Sequence, residues 1–264
     1  LDILTYRVAF AALIIALISL TFRYKVTREN FVLLKSLAPL ERNRIVIATI
    51  FSAIMLALNW YLYIYVMNAV SVNATSLAYL ICPILTTVLA GIFLKEKLNV
   101  GQWLAVTLSI ISCLMLSYGH FMDMLYSVII ALSYAIYLVL QKSSTKLDKF
   151  FTLTLHMLIS AVFLIPLGIN SISDSVVHSE MFFQYVLVIA VLFTIIPLFL
   201  NMYALKGLDS SVVGILLYIN PIISFLLAVY YFNESITLLQ GVAYGLILLA
   251  VIVFNISYLQ SKKK

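Results

Sequence analysis

Few side chains in this sequence could do chemistry inside a long apolar stretch: a handful of prolines, amides and tyrosines, one arginine and one histidine. Pro83 and Pro221 lie near the middle of two apolar runs, 138 residues apart. Proline lacks an N–H and clashes with the carbonyl four residues earlier, and in lipid that freed carbonyl must find a donor or line a cavity. Each proline is therefore expected to be a hinge and cavity wall, or a kink absorbed by neighbouring helices. Arg7 is the one cation within an apolar run. It either snorkels to the membrane interface or pairs with Asp2, or it recognises a carboxylate or phosphate, which the guanidinium fork fits.

Polar and aromatic side chains recur at helical spacing. Ser52, Asn59 and Tyr63 share one face, with Trp60 beside it, and Ser76, Tyr79, Pro83, Thr86 and Thr87 share another. Tyr126, Ser133, Tyr134, Tyr137 and Gln141 follow, then Gly214, Tyr218 and Pro221 with Asn220 adjacent. Such faces either make helix–helix contacts or hold a cargo by ring faces and hydrogen bonds. Asn59 and Asn220 stand out because an amide in lipid needs partners. Tyr118, Tyr230 and Tyr258, at run ends, are expected to anchor the interface. His156 either carries a proton or is simply hydrogen-bonded. Asp2, Glu96, Asp123, Asp209 and Glu234 all sit at run ends, which argues against a carboxylate relay and against a strongly cationic cargo. His120, His156 and His178 stand far apart, and Cys82 and Cys113 lie inside apolar runs, so no metal, cofactor or disulfide is expected. No G-x-S-x-G stretch or His-with-acid cluster supports an intramembrane enzyme, and no filter supports a channel.

The elements that position these groups follow from composition. Hydrophobic residues make up 64% of 264, charged residues 10%, and mean hydropathy is +1.14. A soluble domain carries about 25% charged residues, so lipid must be the solvent here. Long unbroken apolar runs favour helices over a barrel. Nine segments result: 3–22, 45–67, 74–94, 100–118, 124–141, 150–170, 183–205, 211–232 and 239–260. Lys and Arg occupy every alternate connection: six in the first, then Lys95 and Lys97, then Lys142, Lys146 and Lys149, then Lys206, and finally Lys262 to Lys264. Positive charge stays cytoplasmic, so the C-terminus is expected inside a plasma (inner) membrane, and the net charge of +6 reports topology rather than nucleic-acid binding. The first connection contains FVLLKSLAPL, expected to be a surface-lying helix or a solvated connector.

The chain also repeats itself. The 138-residue shift that pairs Pro83 with Pro221 pairs Glu96 with Glu234, Gln102 with Gln240 and Tyr65 with Tyr203. Five spans separate the two runs, an odd number, so the repeat is inverted in the membrane. Inverted repeats are a device of secondary transporters, whose halves exchange conformations around a midplane site. The expected division is 1–120 and 121–264. Segment 124–141 has no upstream counterpart, so one more N-terminal helix is expected in the natural protein, giving ten spans (5+5); a cleaved signal peptide is the rival explanation.

LDILTYRVAF, LNWYLYIYVMNAV, SLAYLICPIL and LLYINPIISFLLAVYYFNE, taken with the repeat, resemble the EamA type of the drug/metabolite transporter superfamily, and its RarD-like branch in particular. The resemblance implies an all-α polytopic bundle of two inverted five-helix repeats with a central cavity, moving small metabolites. Cavity residues from the family's first helix are not assignable here. The cargo expected is neutral, zwitterionic or weakly anionic, such as an amino acid or drug, exported by a monomer or weak homodimer. Arg7, Asn59, Trp60, Tyr63, Tyr79, Tyr134, Tyr137, Tyr218 and Asn220 are the candidate contacts, with Pro83 and Pro221 as hinges. A lipid or lipid-linked-sugar flippase of the same fold is the alternative.

Overall fold

The computed structural model describes residues 1–70, 72–118, 121–143, 146–169, 179–231 and 237–261. Glu234, His120, His178 and the Lys262 to Lys264 tail lie outside the described residues. The described residues fold into α1 (Asp2–Leu20), α2 (Tyr24–Ser36), α3 (Pro39–Ala69), α4 (Val72–Phe93), α5 (Val100–Leu116), α6 (Phe121–Ser143), α7 (Lys149–Ile169), α8 (Glu180–Ala190), a π-turn (Val191–Ile195), α9 (Ile196–Gly207), α10 (Ser210–Leu216), α11 (Ile219–Tyr230) and α12 (Leu238–Ser261). Among them are eight stretches long and apolar enough to cross a bilayer, and α5 is a shorter apolar helix. These correspond to the nine apolar segments of the sequence. The chain is an all-α, multi-pass membrane protein.

Helix ends repeat at the 138-residue shift. α3 ends at Ala69 and α9 at Gly207; α4 begins at Val72 and α10 at Ser210; α5 begins at Val100 and α12 at Leu238. Local chemistry repeats with them. The Asn99 side chain accepts from the Gln102 N–H at 2.9 Å while Gln102 Oε1 accepts from the Asn99 N–H at 2.9 Å. Thr237 and Gln240 do the same for α12, at 3.3 and 3.0 Å. Each box satisfies donors that a helix start leaves orphaned.

The helices gather into two compact units, each drawn from both halves of the chain: residues 1–64 with 140–207, and residues 65–139 with 208–264. In the first unit α1 packs on α7. Ser19, near the end of α1, shares a 2.7 Å hydrogen bond with Thr154, near the start of α7. Thr5, near the start of α1, meets Gly168, near the end of α7, where an added Cβ would sit 1.7 Å from Thr5 Oγ1. The pair is antiparallel, and only glycine permits that closeness. Ser160 on α7 donates to the Ala53 carbonyl of α3 at 3.1 Å.

The first connection is a helix, α2, and the sequence alternatives resolve in that direction. Its Thr27 hydroxyl donates to Ser19 O at 3.0 Å, and Asn30 Oδ1 accepts from the Asp148 N–H at 2.9 Å. Asp148 in turn caps α7 by accepting from the Phe151 N–H at 3.1 Å, and it pairs with Arg23 at 3.3 Å. The π-turn lies just before Pro197; Thr194 Oγ1 donates back to Ile189 O at 3.2 Å. A widened turn of this kind lets a helix absorb an irregular residue without breaking.

In the second unit α4 packs on α10 and α5 on α12, again antiparallel. Asn99, capping the start of α5, donates to Ser257 O near the end of α12 at 2.9 Å, and Ser112 donates to Ala243 O at 2.8 Å. Leu77, Leu80, Ile215, Tyr218, Ile247 and Phe254 contribute to its core. Tyr258 is buried in that core, not anchored at an interface as its place near a run end suggested. A tyrosine near a helix end turns inward when a packed partner covers its face, which no single-helix pattern reveals.

Candidate functional site

Candidate residues of the first unit begin with Arg7. Its guanidinium carbon stands 5.0 Å from the ring centre of Trp60, so α1 and α3 bring these two together. A cation over an indole face gains about 0.5–2 kcal/mol depending on desolvation. The guanidinium edge then points its N–H groups in fixed directions, the geometry that suits a planar oxyanion. Beside it Tyr6 meets the edges of Phe182 and Phe183, at 5.8 and 5.3 Å. Asn59 and Tyr63 are half-buried on α3, while His156 is fully buried on α7.

In the second unit the two prolines, indistinguishable in sequence, behave differently. α4 runs unbroken through Pro83. Three hydroxyls serve its carbonyls around that point: Thr86 donates to Cys82 O at 2.8 Å, Thr87 to Pro83 O at 2.8 Å, and Tyr218 to Leu80 O at 3.0 Å. At Pro221 the segment divides into α10 and α11. Leu217 O, four residues before the proline, accepts instead from the Asn220 N–H at 3.1 Å, a tighter three-residue turn. The expectation of a matched pair of kinks is thus met by one absorbed proline and one helix break. Asn220 lies exposed beside the break, and its side chain is not buried as an amide seeking partners in lipid would be.

Tyr218 and Tyr137 are fully buried, Tyr134 is half-buried 5.8 Å from Tyr137, and Tyr79 is exposed. Gly214 approaches α4 so closely that an added Cβ would lie 3.0 Å from Thr86. Glu96, just past the end of α4, accepts from the Ser210 N–H at 2.7 Å, the Ser211 N–H at 3.1 Å and the Ser211 hydroxyl at 2.7 Å. A carboxylate there satisfies orphan donors and the positive end of the α10 dipole. Lys95 adopts φ 56°, a left-handed turn that delivers Glu96 to those donors.

A cleft of about 230 Å³ in this unit is lined by Ser76, Leu80, Tyr118, Thr237, Gln240 and Tyr244, with smaller apolar contributions. Drug-sized pockets run to roughly 300–1,000 Å³, so it is small for a cargo site. Tyr244, stacked on Phe225 at 4.2 Å, was not singled out from sequence. Its one visible signal is an aromatic between Gly241 and Gly245 in an otherwise aliphatic run. No group of three or more His, Cys, Asp or Glu side chains among the described residues could hold a metal ion.

Comparison with known proteins agrees with this architecture. The model of the EamA-like transporter family matches twice, over residues 1–118 and 122–256. The chain is 27% identical to the uncharacterized transporter YojE of Bacillus subtilis, over 100% of this chain and 87% of that protein. It is 29% identical to protein RarD of Salmonella typhi, over 99% and 88%. An uncharacterized transporter of Vibrio cholerae is 30% identical over 80% of this chain and 70% of its own length. A solved crystal structure superposes with a TM-score of 0.70 over 97% of this chain and 88% of that one, at 16% identity, a likeness of fold. With twin family matches, relatives aligned over most of their length and an all-helical membrane fold in agreement, the chain belongs to the EamA-like transporter family, in its RarD-like branch, and is a membrane transporter.

Proposed function

We propose that this transporter is a secondary carrier that exports small neutral, zwitterionic or weakly anionic metabolites, such as amino acids or drugs, by alternating access at a cavity lined by two inverted repeats. The repeats are 1–120 and 121–264, in a plasma (inner) membrane with the C-terminus cytoplasmic. The observation that carries this reading is the antiparallel pairing of repeat-equivalent helices. Glu96 at the end of α4 touches the start of α10, and Asn99 at the start of α5 touches the end of α12. Two copies of one motif that run oppositely can exchange roles, which is what alternating access requires.

The cargo class follows from side chains. Among the candidates Arg7 is the only permanent charge, held over Trp60, and the rest are rings, amides and hydroxyls. Such a set binds a carboxylate or a neutral polar molecule and offers no carboxylate to a strong cation. Proton coupling through His156 is one version of the mechanism.

Counterflow in proteoliposomes with an amino-acid and metabolite panel tests the proposal. Exchange of a water-soluble solute, reduced in Arg7→Gln and in Trp60→Leu, supports it. Scrambling of a fluorescent lipid without solute exchange overturns it in favour of a flippase. A flat response to a pH gradient removes the proton from the mechanism while leaving the carrier in place.

A further inference from the structure

Helix α2 turns its faces the opposite way from a helix of a soluble protein. Arg23, Thr27 and Asn30 share one face by spacing, and Thr27 and Asn30 are buried, at 8% and 7% exposure. Tyr24, Phe31 and Val32 point outward, at 57%, 48% and 59%. A helix in water buries its apolar face and shows its polar one, so water does not account for this arrangement. The inward face also fixes where α2 lies. Thr27 donates to Ser19 O near the end of α1, and Asn30 accepts from the Asp148 N–H at the start of α7. Arg23, two helical turns before Asn30, pairs with the same Asp148 and stands 4.9 Å from the ring centre of Phe150. Contacts two turns apart thus converge on the ends of two spans. Helix α2 therefore crosses those ends instead of continuing either span, at the level where headgroups begin.

Charge completes the outward face. Lys25, Arg28, Val32 and Lys35 follow at steps of three and four residues, one exposed stripe of the helix. Arg42 and Arg44, near the start of α3, are exposed beyond it. The acids of this stretch are Glu29 and Glu41, and Glu41 is engaged with Lys146. The positive-inside tendency accounts for cations in such a connection. It does not account for their interleaving with exposed rings and a valine on one helix face. That pattern belongs to a helix lying in an anionic lipid surface.

We propose that the outward face of α2 is a docking surface for the anionic phospholipids of the surrounding bilayer. Lys25, Arg28 and Lys35 attract the headgroup phosphates, while Tyr24, Phe31 and Val32 enter the boundary with the acyl chains to either side of them. Anionic lipid thereby holds α2 against the ends of α1 and α7 through the Thr27 and Asn30 contacts. The surface depends on the membrane fold alone and not on what the carrier moves.

The test has two arms, both on the full chain. In detergent, thermal stabilisation is titrated with phosphatidylglycerol and with phosphatidylcholine. Phosphatidylglycerol is expected to stabilise at lower concentration, and the double variant Lys25→Gln with Lys35→Gln is expected to need about fivefold more of it for each cation removed. Both lysines are exposed, so the variant folds, and Lys97→Gln with Lys206→Gln removes two equally exposed cations elsewhere as the control. Equal action of the two lipids on the parent, no shift in the α2 variant, or an equal shift in the control overturns the proposal. In nanodiscs containing phosphatidylglycerol, a spin label is placed at Val32→Cys; Cys82 and Cys113 are buried, so the label goes to the new thiol. Greater accessibility to oxygen than to a water-soluble nickel chelate supports the lipid surface. The reverse order places α2 in water, leaves an acidic soluble partner as its occupant and overturns the proposal. Because neither arm reads transport, a carrier that moves nothing in the solute panel leaves this result unaffected.

Discussion

Tyr218 donates its hydroxyl at 3.0 Å to the carbonyl of Leu80, the residue that occupies its own place 138 positions earlier in the chain. The bond ties one repeat to the other at equivalent positions, three residues before Pro83 and three before Pro221. The two prolines nonetheless differ: α4 continues through Pro83 with Tyr218 bound to it, whereas the second segment closes a tighter turn at Leu217 O and breaks. Tyr218→Phe removes this donor from a fully buried site. Hydrogen bonds between membrane helices contribute about 0.6 and at most roughly 1.7 kcal/mol, and the loss is expected within that range. Thermal unfolding in detergent checks it, with Tyr230→Phe, at an exposed ring, expected to be neutral.

Glu96 joins the end of α4 to the start of α10 through three hydrogen bonds. Glu96→Ala removes a cap, with an expected loss of about 0.5–2 kcal/mol. Glu96→Gln keeps one acceptor oxygen and is expected to lose less. Equal unfolding temperatures for Glu96→Ala and the parent would show that the cap contributes nothing.

Lys95 holds a left-handed backbone without being glycine, a conformation that disfavours an L-residue by about 1–2 kcal/mol. Lys95→Gly relieves that strain at a helix end where glycine is the favoured closing residue. The variant is expected to unfold at a higher temperature than the parent, provided the Glu96 contacts persist. Combining it with Glu96→Ala checks the dependence, since the gain should remain when the cap is absent.

Much of this architecture was legible in the sequence, and the residues show why. Nine apolar segments match the apolar helices because lipid imposes length and hydropathy on each span. The shift that paired Gln102 with Gln240 also predicts two matching helix starts, since a capping box is written in four residues. Arg7 and Trp60 were both singled out, but their contact was not, because α1 and α3 meet through packing rather than through sequence spacing. The cations of α2 carry, in sequence, only a sign of orientation. Their display beside Phe31 and Val32 depends on Asp148, 118 residues along the chain, which holds Asn30 inward. Tyr258 failed as an anchor for the same reason: α5 packs on α12, and helix contact determines which face turns inward.

Glycines sharpen the last prediction. At Gly168 an added Cβ would sit 1.7 Å from Thr5 Oγ1 and 2.7 Å from Thr5 Cβ, whereas at Gly241 nothing lies within 4 Å. Both are helical, so propensity alone favours alanine at each by about 0.8–1 kcal/mol. At Gly241 nothing opposes that gain, and Gly241→Ala is expected to be stabilising. At Gly168 the clash is with a branched side chain on a neighbouring helix, so α1 and α7 must separate, and overpacking of this kind costs about 1–3 kcal/mol. Gly168→Ala is therefore expected to be destabilising, with Thr5→Gly restoring much of the loss. The double-mutant cycle read by thermal unfolding isolates the contact, because two residues that touch give a coupling of about 0.5–3 kcal/mol while independent sites add. Strict additivity would mean that α1 and α7 do not approach each other at this crossing.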